Sequence, residues 1–414
     1  MNKKSTLGDF KLRVLCQLFY PELISTGQTL TELCESLSEQ GVKINVIAAP
    51  TSLVSSSKTP KDITYKNINI HRVWATQFPK LNLIGRLINQ LTFTLSAFWH
   101  LITHRSKTPI LVLTNPPFLA LICVCLKIIL KIPYVYLVFD VYPNTAVACN
   151  ILSAKNPVVW LWKKINSLIY RHASHIIVIG RCMKKVVTQS SPPSCHSKII
   201  FIPVWADDRL IQQKMPYFNH FVDKWQLANK FVVLYSGNMG RFHDMMTIIK
   251  AAHLLQDQSD ILFLFVGEGH QKQALMDYVD SHSLNNCQFH SYVDRSELGA
   301  LLSCASIGLV SLMPSQVGLS VPSKTFGLMA AGVPIVGLLP EDSEIGLIIQ
   351  ETGCGTLSHP GDAALLHTSI LDLYHSPKKL SIMKENALLS IQKKYSLTKT
   401  GQRYLEVLLT LKII

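Results

Sequence analysis

Apolar residues in this chain fall into short unbroken runs and longer stretches with three- to four-residue spacing, and the two kinds alternate. Residues 12–19 (LRVLCQLF) form a short run that reads as a buried strand. Residues 29–39 put Leu30, Leu33, Cys34 and Leu37 on one helical face, Gly41 stops that helix, and 42–49 is a second strand. Strand, helix and strand with short connections open a parallel sheet covered by helices. Further strands are expected at 68–74, 110–114, 132–139, 176–179 and 199–203. A polar and aromatic stretch up to Lys230 then has no strand pattern and marks a crossing between domains. The alternation restarts with strands at 231–235, 261–266, 288–290, 307–312 and 333–338, and helices at 245–255 and 296–304. A last helix is expected at 404–411.

These two series predict an α/β chain of two Rossmann-like units, each with a parallel sheet, and a cleft between them. The boundaries are 1–205 and 206–399, with a C-terminal helix at about 400–414 packing back on the first unit. A length of 414 residues suits two domains of about 200 residues. The apolar region 110–139 includes Asn115, Pro116 and Pro117, which interrupt any spanning helix near its start. Strand, turn, buried helix and strand is the expectation there. Segments 82–103 and 160–172 mix Arg86, His100, Lys163, Lys164 and Arg171 with Leu, Ile, Trp and Phe, the composition of helices that lie in a membrane interface.

Charge sharpens that picture. Residues 1–205 carry 23 Lys and Arg against 7 Asp and Glu, whereas 206–414 carry 17 against 19. Such asymmetry points the first half at a polyanion. No helix-turn-helix, zinc finger or aromatic RNA-binding signature is present, so an anionic membrane surface is favoured over nucleic acid. The ten cysteines are dispersed, with only Cys123 and Cys125 close together, which fits buried thiols of a reducing compartment. The first residues lack the apolar core of a signal peptide, so a cytoplasmic location is expected.

The clearest chemistry lies in the second half. Ser236-Gly237-Asn238-Met239-Gly240-Arg241 follows a strand directly. Its glycines permit a tight turn, and exposed amides with Arg241 are suited to a diphosphate. Gly267-Glu268-Gly269 ends the next strand, and Val293 lies at another strand end where the edge of a nucleotide base is expected. The segment 321–336 (VPSKTFGLMAAGVPIV) supplies a loop and helix start, where Ser323, Lys324, Thr325 and backbone amides are candidate phosphate donors. His243 follows Arg241 and is either a substrate contact or part of a helix start. In the first half Asp140 ends a strand, and base, orienting group, acceptor ligand and turn cap all remain open for it. Gly27 and Gln28 begin the first helix and are placed to approach a ligand phosphate. There is no P-loop, H-E-x-x-H, G-x-S-x-G or G-x-G-x-x-G pattern, and no metal triad.

The order FYPELISTGQTLTELCESLSEQGVKINVIAAP, LTNPPF, VFDVYP, SGNMGR, FVGEGH and VPSKTFGLMAAGVPIV resembles the retaining nucleotide-sugar glycosyltransferases of family four, of the colanic-acid and O-antigen type. The resemblance implies a GT-B fold, a UDP- or GDP-sugar donor held mainly by the second unit, and no required cofactor or metal. It further implies an acceptor bound by the first unit, and the basic, apolar first half beside a neutral second half points to a lipid-linked or growing glycan acceptor at the inner face of the plasma membrane. Arg241 would neutralise the leaving diphosphate and Gly27 would lie under the donor phosphate. The chain departs from the family at its acidic pair, which aligns on Leu319 and Gly327, and at its usual lysine, which falls near His243. Lys324, Arg241 and His243 are then the candidates for a variant arrangement, with Glu341, Asp342 and Glu344 as substitutes at the sugar. A donor-binding partner subunit of another transferase and a GT-B sugar-nucleotide epimerase are the alternative readings.

Overall fold

Strands made wholly of apolar residues belong in the middle of a sheet with helices on both faces, and this chain builds two such sheets. The computed structural model describes residues 10–22, 25–51, 60–79, 83–207 and 219–413, and the chain divides into two compact units, Met1–Pro203 with Leu397–Ile414, and Val204–Ser396.

The first unit runs β1 (Lys11–Leu15), α1 (Ser25–Glu39), β2 (Lys43–Ala48), β3 (Asp62–Tyr65), β4 (Ile68–Arg72) and α2 (Leu83–Thr103). It continues with β5 (Ile110–Leu113), α3 (Ala120–Leu130), β6 (Tyr134–Val138), α4 (Asn144–Ala148), α5 (Pro157–His172), β7 (His175–Val178), α6 (Arg181–Ser190) and β8 (Ile199–Phe201). The strand order is β3-β4-β2-β1-β5-β6-β7-β8. β5 and β6 are buried along their whole length. The apolar region 110–139 therefore folds as strand, turn, helix and strand.

One pairing departs from the all-parallel expectation. β3 lies antiparallel to β4, joined by Lys66 and Asn67, both with positive φ. Two such residues in succession form the tight turn whose twist suits a hairpin. β3 alternates exposed and half-buried positions at the sheet edge, so it lacks the apolar run by which the other strands are recognised.

The second unit holds α7 (His220–Lys224), β9 (Phe231–Ser236), α8 (Met245–Leu254), β10 (Ile261–Val266), α9 (Lys272–Ser281), β11 (Cys287–His290) and α10 (Leu298–Ser303). After β12 (Ile307–Ser311) come α11 (Lys324–Ala330), β13 (Ile335–Leu338), α12 (Glu344–Thr352), β14 (Gly355–Ser358), α13 (Ala363–Tyr374) and α14 (Pro377–Ser390). All six strands are parallel, in the order β11-β10-β9-β12-β13-β14. Part of the stretch between the two series, 208–218, lies outside the described residues. β14 carries only one fully buried position, Ser358, and no apolar run.

In the first sheet the connection β1–α1–β2 runs one way, while β4–α2–β5, β5–α3–β6 and β6–α5–β7 run the other. Right-handed crossovers then place α1 on one face and α2, α3 and α5 on the opposite one. α3 packs on α5, with Phe118 against Trp162. The final helix, α15 (Leu397–Leu409), begins seven residues before the expected 404 and packs on α1. Tyr404, Leu405 and Leu408 are buried there, and Arg403 donates to the carbonyl of Phe201 at 2.8 Å.

Close approach of α15 to α1 depends on Gly401, where an added Cβ would stand 2.5 Å from Ser36 Oγ. Gly401→Val should lower stability by about 2 kcal/mol, as overpacking does, read as a drop in the thermal or urea midpoint. An unchanged midpoint would show that the helix pair tolerates wider spacing.

Candidate functional site

In each sheet the strand order reverses beside the first strand of its unit, between β1 and β5 and between β9 and β12. Loops leaving adjacent strands diverge at such a point, and the crevice outside the carboxyl ends is where open α/β sheets hold ligands. The second unit's reversal point gathers most of the residues singled out above.

The loop after β9 is folded onto the loop after β10. Gly237 N donates to Val266 O at 2.8 Å, Met239 N to Glu268 O at 2.8 Å, and Gln271 N to Met239 O at 3.0 Å. Gly267 has φ +145°, and a Cβ there would lie 2.1 Å from Gly237 O. Only glycine fits. Gly269 is confined in the same way, 2.5 Å from the Met239 carbonyl. Gly240 lies against the Asn238 side chain, which is exposed, and the Asn238 carbonyl accepts the Tyr235 hydroxyl at 2.9 Å.

Three groups occupy the reversal point. His243 Nδ1 donates to Ser311 O at 2.6 Å, and Ser311 Oγ accepts from Asp244 N at 2.7 Å, so the β9 loop is tied to the end of β12. Burial, the dominant cause, pushes the His243 imidazole down to about 3 despite that bond. It is therefore neutral, with the proton on Nδ1. Lys324 heads α11, and its Nζ lies 3.5 Å from the centroid of the Tyr235 ring. A Cβ on Gly237 would stand 3.2 Å from both Lys324 Cε and Nζ. That Nζ is buried and makes no hydrogen bond, and burial drives its pKa well below the usual lysine range. Arg241 is exposed at the rim.

Other candidates are committed elsewhere. The Thr325 hydroxyl donates to Pro322 O at 2.9 Å, so it stabilises the entry to α11. Thr325 N and Phe326 N donate to Pro322 O and Ser323 O at 3.3 and 3.1 Å. Those two amides close a tight turn and are not presented as free donors at the helix start. Glu268 pairs with Lys272 at 2.8 Å, which also donates to Gly267 O at 3.0 Å and pins the loop. That bond lowers the Glu268 carboxyl. Val293 is half-buried beyond β11, beside the exposed Tyr292.

At the aligned acidic positions, Leu319 is buried and a Cβ on Gly327 would make ordinary contact with Leu302 Cδ1 at 3.6 Å. Beyond β13, Glu341 and Asp342 are exposed while Glu344 is buried at the start of α12. Tyr235, Ser311 and Lys272 did not stand out in the sequence: two are strand residues that read as core, and the third is a helix surface lysine.

Gly27 and Asp140 belong to the first unit. Gly27 lies in the first turn of α1 with its carbonyl bonded by Thr31 Oγ1 at 2.8 Å. Asp140 follows β6, where burial raises its carboxyl to about 6. The proline motifs after β1, β5 and β6 each contain a cis bond, at Tyr20-Pro21, Asn115-Pro116 and Tyr142-Pro143. All ten cysteines are free. Among the described residues no group of three or more His, Cys, Asp or Glu is placed to hold a metal.

Comparison with known proteins shows which family this two-sheet architecture belongs to. Residues 26–205 match the glycosyl transferase 4-like domain and residues 219–389 match glycosyl transferases group 1. The chain is 31% identical over 305 residues to the probable glycosyltransferase WbjE of Pseudomonas aeruginosa, covering 70% of this chain and 73% of that one. It is 24% identical over 403 residues to the putative colanic acid biosynthesis glycosyl transferase WcaI of Escherichia coli K12, covering 91% and 95%. Anabaena HepE, crystallised with UDP and glucose, superposes with a TM-score of 0.73 at 16% identity, covering 97% and 100%. The chain belongs to this glycosyltransferase family and has its GT-B architecture of two Rossmann-like units.

Two glycines separate packing from function. Gly267→Ala should destabilise the unit by more than about 2 kcal/mol, because the strained φ and the clash with Gly237 O combine. Gly327→Ala, in a helix interior with room for a methyl, should stabilise by about 0.5–1 kcal/mol. Urea midpoints of the two variants in the reverse order would refute the packing described.

Proposed function

We propose that the protein transfers a sugar, with retention, from a UDP- or GDP-sugar to a lipid-linked or growing glycan acceptor in surface polysaccharide assembly. The observation that carries the donor half is Lys324: a buried, unpartnered Nζ beside Gly237 at the strand reversal point. Residues 206–399 hold the donor and residues 1–205 the acceptor. As the bond between sugar and phosphate lengthens, negative charge grows on the diphosphate. Lys324 and Arg241 meet that charge in the transition state more strongly than in the ground state, which is what lowers a barrier. His243, bonded to Ser311, fixes the wall beside Lys324. The names of the relatives WcaI and HepE, with colanic acid biosynthesis in one and UDP and glucose in the other, support the substrate class.

The first unit is read as seated on the inner face of the plasma membrane. Ile84, Leu87, Leu91, Leu95 and Trp99 form one exposed stripe along α2, with Trp99 70% exposed. The opposite stripe, Phe93, Ala97 and Leu101, is buried. Val158, Trp160 and Leu161 are exposed on α5, on the same face of the sheet. Leaving such side chains in water forgoes about 1.5–3 kcal/mol each. Asp140 is the only acidic residue between Asp62 and Asp207, so the surrounding charge is basic and complements anionic lipid. No helix among the described residues is long and apolar enough to cross a membrane.

The full chain, given nucleotide sugars and a polyprenyl-diphosphate glycan, should release nucleoside diphosphate only when donor and acceptor are both present. Lys324→Met should lower kcat by roughly 100- to 1,000-fold. No turnover across UDP- and GDP-sugars would refute the assignment. If Asp140 works as a carboxylate, activity is full above its raised pKa and lost as pH falls through about 6. Asp140→Asn should abolish that acid limb along with the activity that depends on it, and an unchanged profile would exclude the role. Vesicles containing anionic lipid should bind the wild type and release it as salt rises. Replacing Leu95 and Trp99 together by Asp should reduce binding at least tenfold, and unaltered flotation would remove the seating face.

A further inference from the structure

The amine of Lys324 sits in an environment that does not favour its charged form. The Tyr235 ring faces it from β9, with the Tyr235 hydroxyl already given to Asn238 O. The Gly237 backbone and the neutral His243 imidazole face it from the loop that follows. Burial alone accounts for its depressed basicity, with no carboxylate contributing. Asp244, next to His243, directs its carboxylate to Thr247 and to Gly361 N. A cation over an aromatic ring is stabilised only modestly, whereas an ammonium stripped of water without a counter-charge is strongly disfavoured. The surroundings of Nζ therefore disfavour its charged form.

A diphosphate reverses that balance, because it brings the missing counter-charge to within reach of Nζ. We propose that Lys324 rests as a neutral amine and that the donor's diphosphate binds together with one proton, taken from solvent onto Lys324 Nζ. The inference rests on the donor-site reading above. The balance is simple: the amine lone pair takes the proton, no covalent bond of the nucleotide changes, and the ammonium pairs with a phosphate oxygen. His243 does not supply the proton, since its Nδ1–H is held by Ser311 O and its other nitrogen carries a lone pair. By linkage, uptake of one proton makes affinity fall up to about tenfold for each unit rise in pH above the resting pKa.

Calorimetric titration of the full chain with UDP and with GDP tests this near pH 8, where the nucleotide's own phosphates are already ionised. The heat should depend on the ionisation enthalpy of the buffer, with a slope approaching one proton gained per nucleotide bound. Kd should rise close to tenfold between about pH 8 and pH 9. Lys324→Arg, charged throughout this range, should bind without uptake and with a flat pH profile. His243→Gln should retain the uptake. Nucleotide binding whose heat is independent of buffer and whose Kd is flat with pH would overturn the proton linkage while leaving the donor site standing. Uptake that survives in Lys324→Arg would overturn it too. Failure of both nucleotides to bind would instead refute the donor-site reading itself. If Lys324→Arg does not fold, the wild-type buffer dependence decides alone.

Discussion

The site of the second unit depends on two backbones approaching as closely as glycine permits. Gly267 stands so near Gly237 O that any side chain would overlap it. That contact lays the β9 loop on the β10 loop and leaves the Gly237 edge bare. A bare edge is what allows the Lys324 side chain to reach in over Tyr235, since a Cβ on Gly237 would crowd its last two atoms. Lys272 then locks the arrangement from the other side through Gly267 O and Glu268. Backbone approach, open edge and enclosed amine are thus successive consequences of two glycines with positive φ.

The architecture was legible because its strands are wholly apolar and its helices strongly one-sided, as in β5, β6, β10 and α1. β3 was not, since its alternating edge pattern and Lys66-Asn67 turn resemble a polar loop. The strand-exit glycines singled out in the sequence lie where the strand order of the second sheet reverses. What the residues could not convey is which polar atoms are already spent. Thr325 looked like a phosphate donor, but its hydroxyl belongs to Pro322 O. Tyr235 looked like core and is also the platform under Lys324. Hydrogen-bond commitment is a three-dimensional property, and strand periodicity hides the ring that faces Lys324 among packed ones.

Leu319 and Gly327 bear on the same distinction. The resemblance aligned them with an acidic pair, yet one is buried and the other faces Leu302. An added Cβ at 327 would meet Leu302 Cδ1 at an ordinary 3.6 Å, so the glycine there relieves no strained contact. The acids after β13 differ in kind: Glu341 and Asp342 are exposed, Glu344 buried.

Two electrostatic designs coexist in one chain. The first unit spreads many exposed cations over a face with almost no acids. Each is hydrated, and its field is screened by salt. The second unit encloses one amine where water is excluded and each interaction is stronger. A guanidinium there would remain charged in the empty site, with an unpaired cation buried at a cost of several kcal/mol. A lysine sheds its proton and avoids that loss. Arginine stands instead at 241, where the side chain is exposed and permanent charge is hydrated. The choice of amine inside and guanidinium outside follows from what each group does when no anion is present.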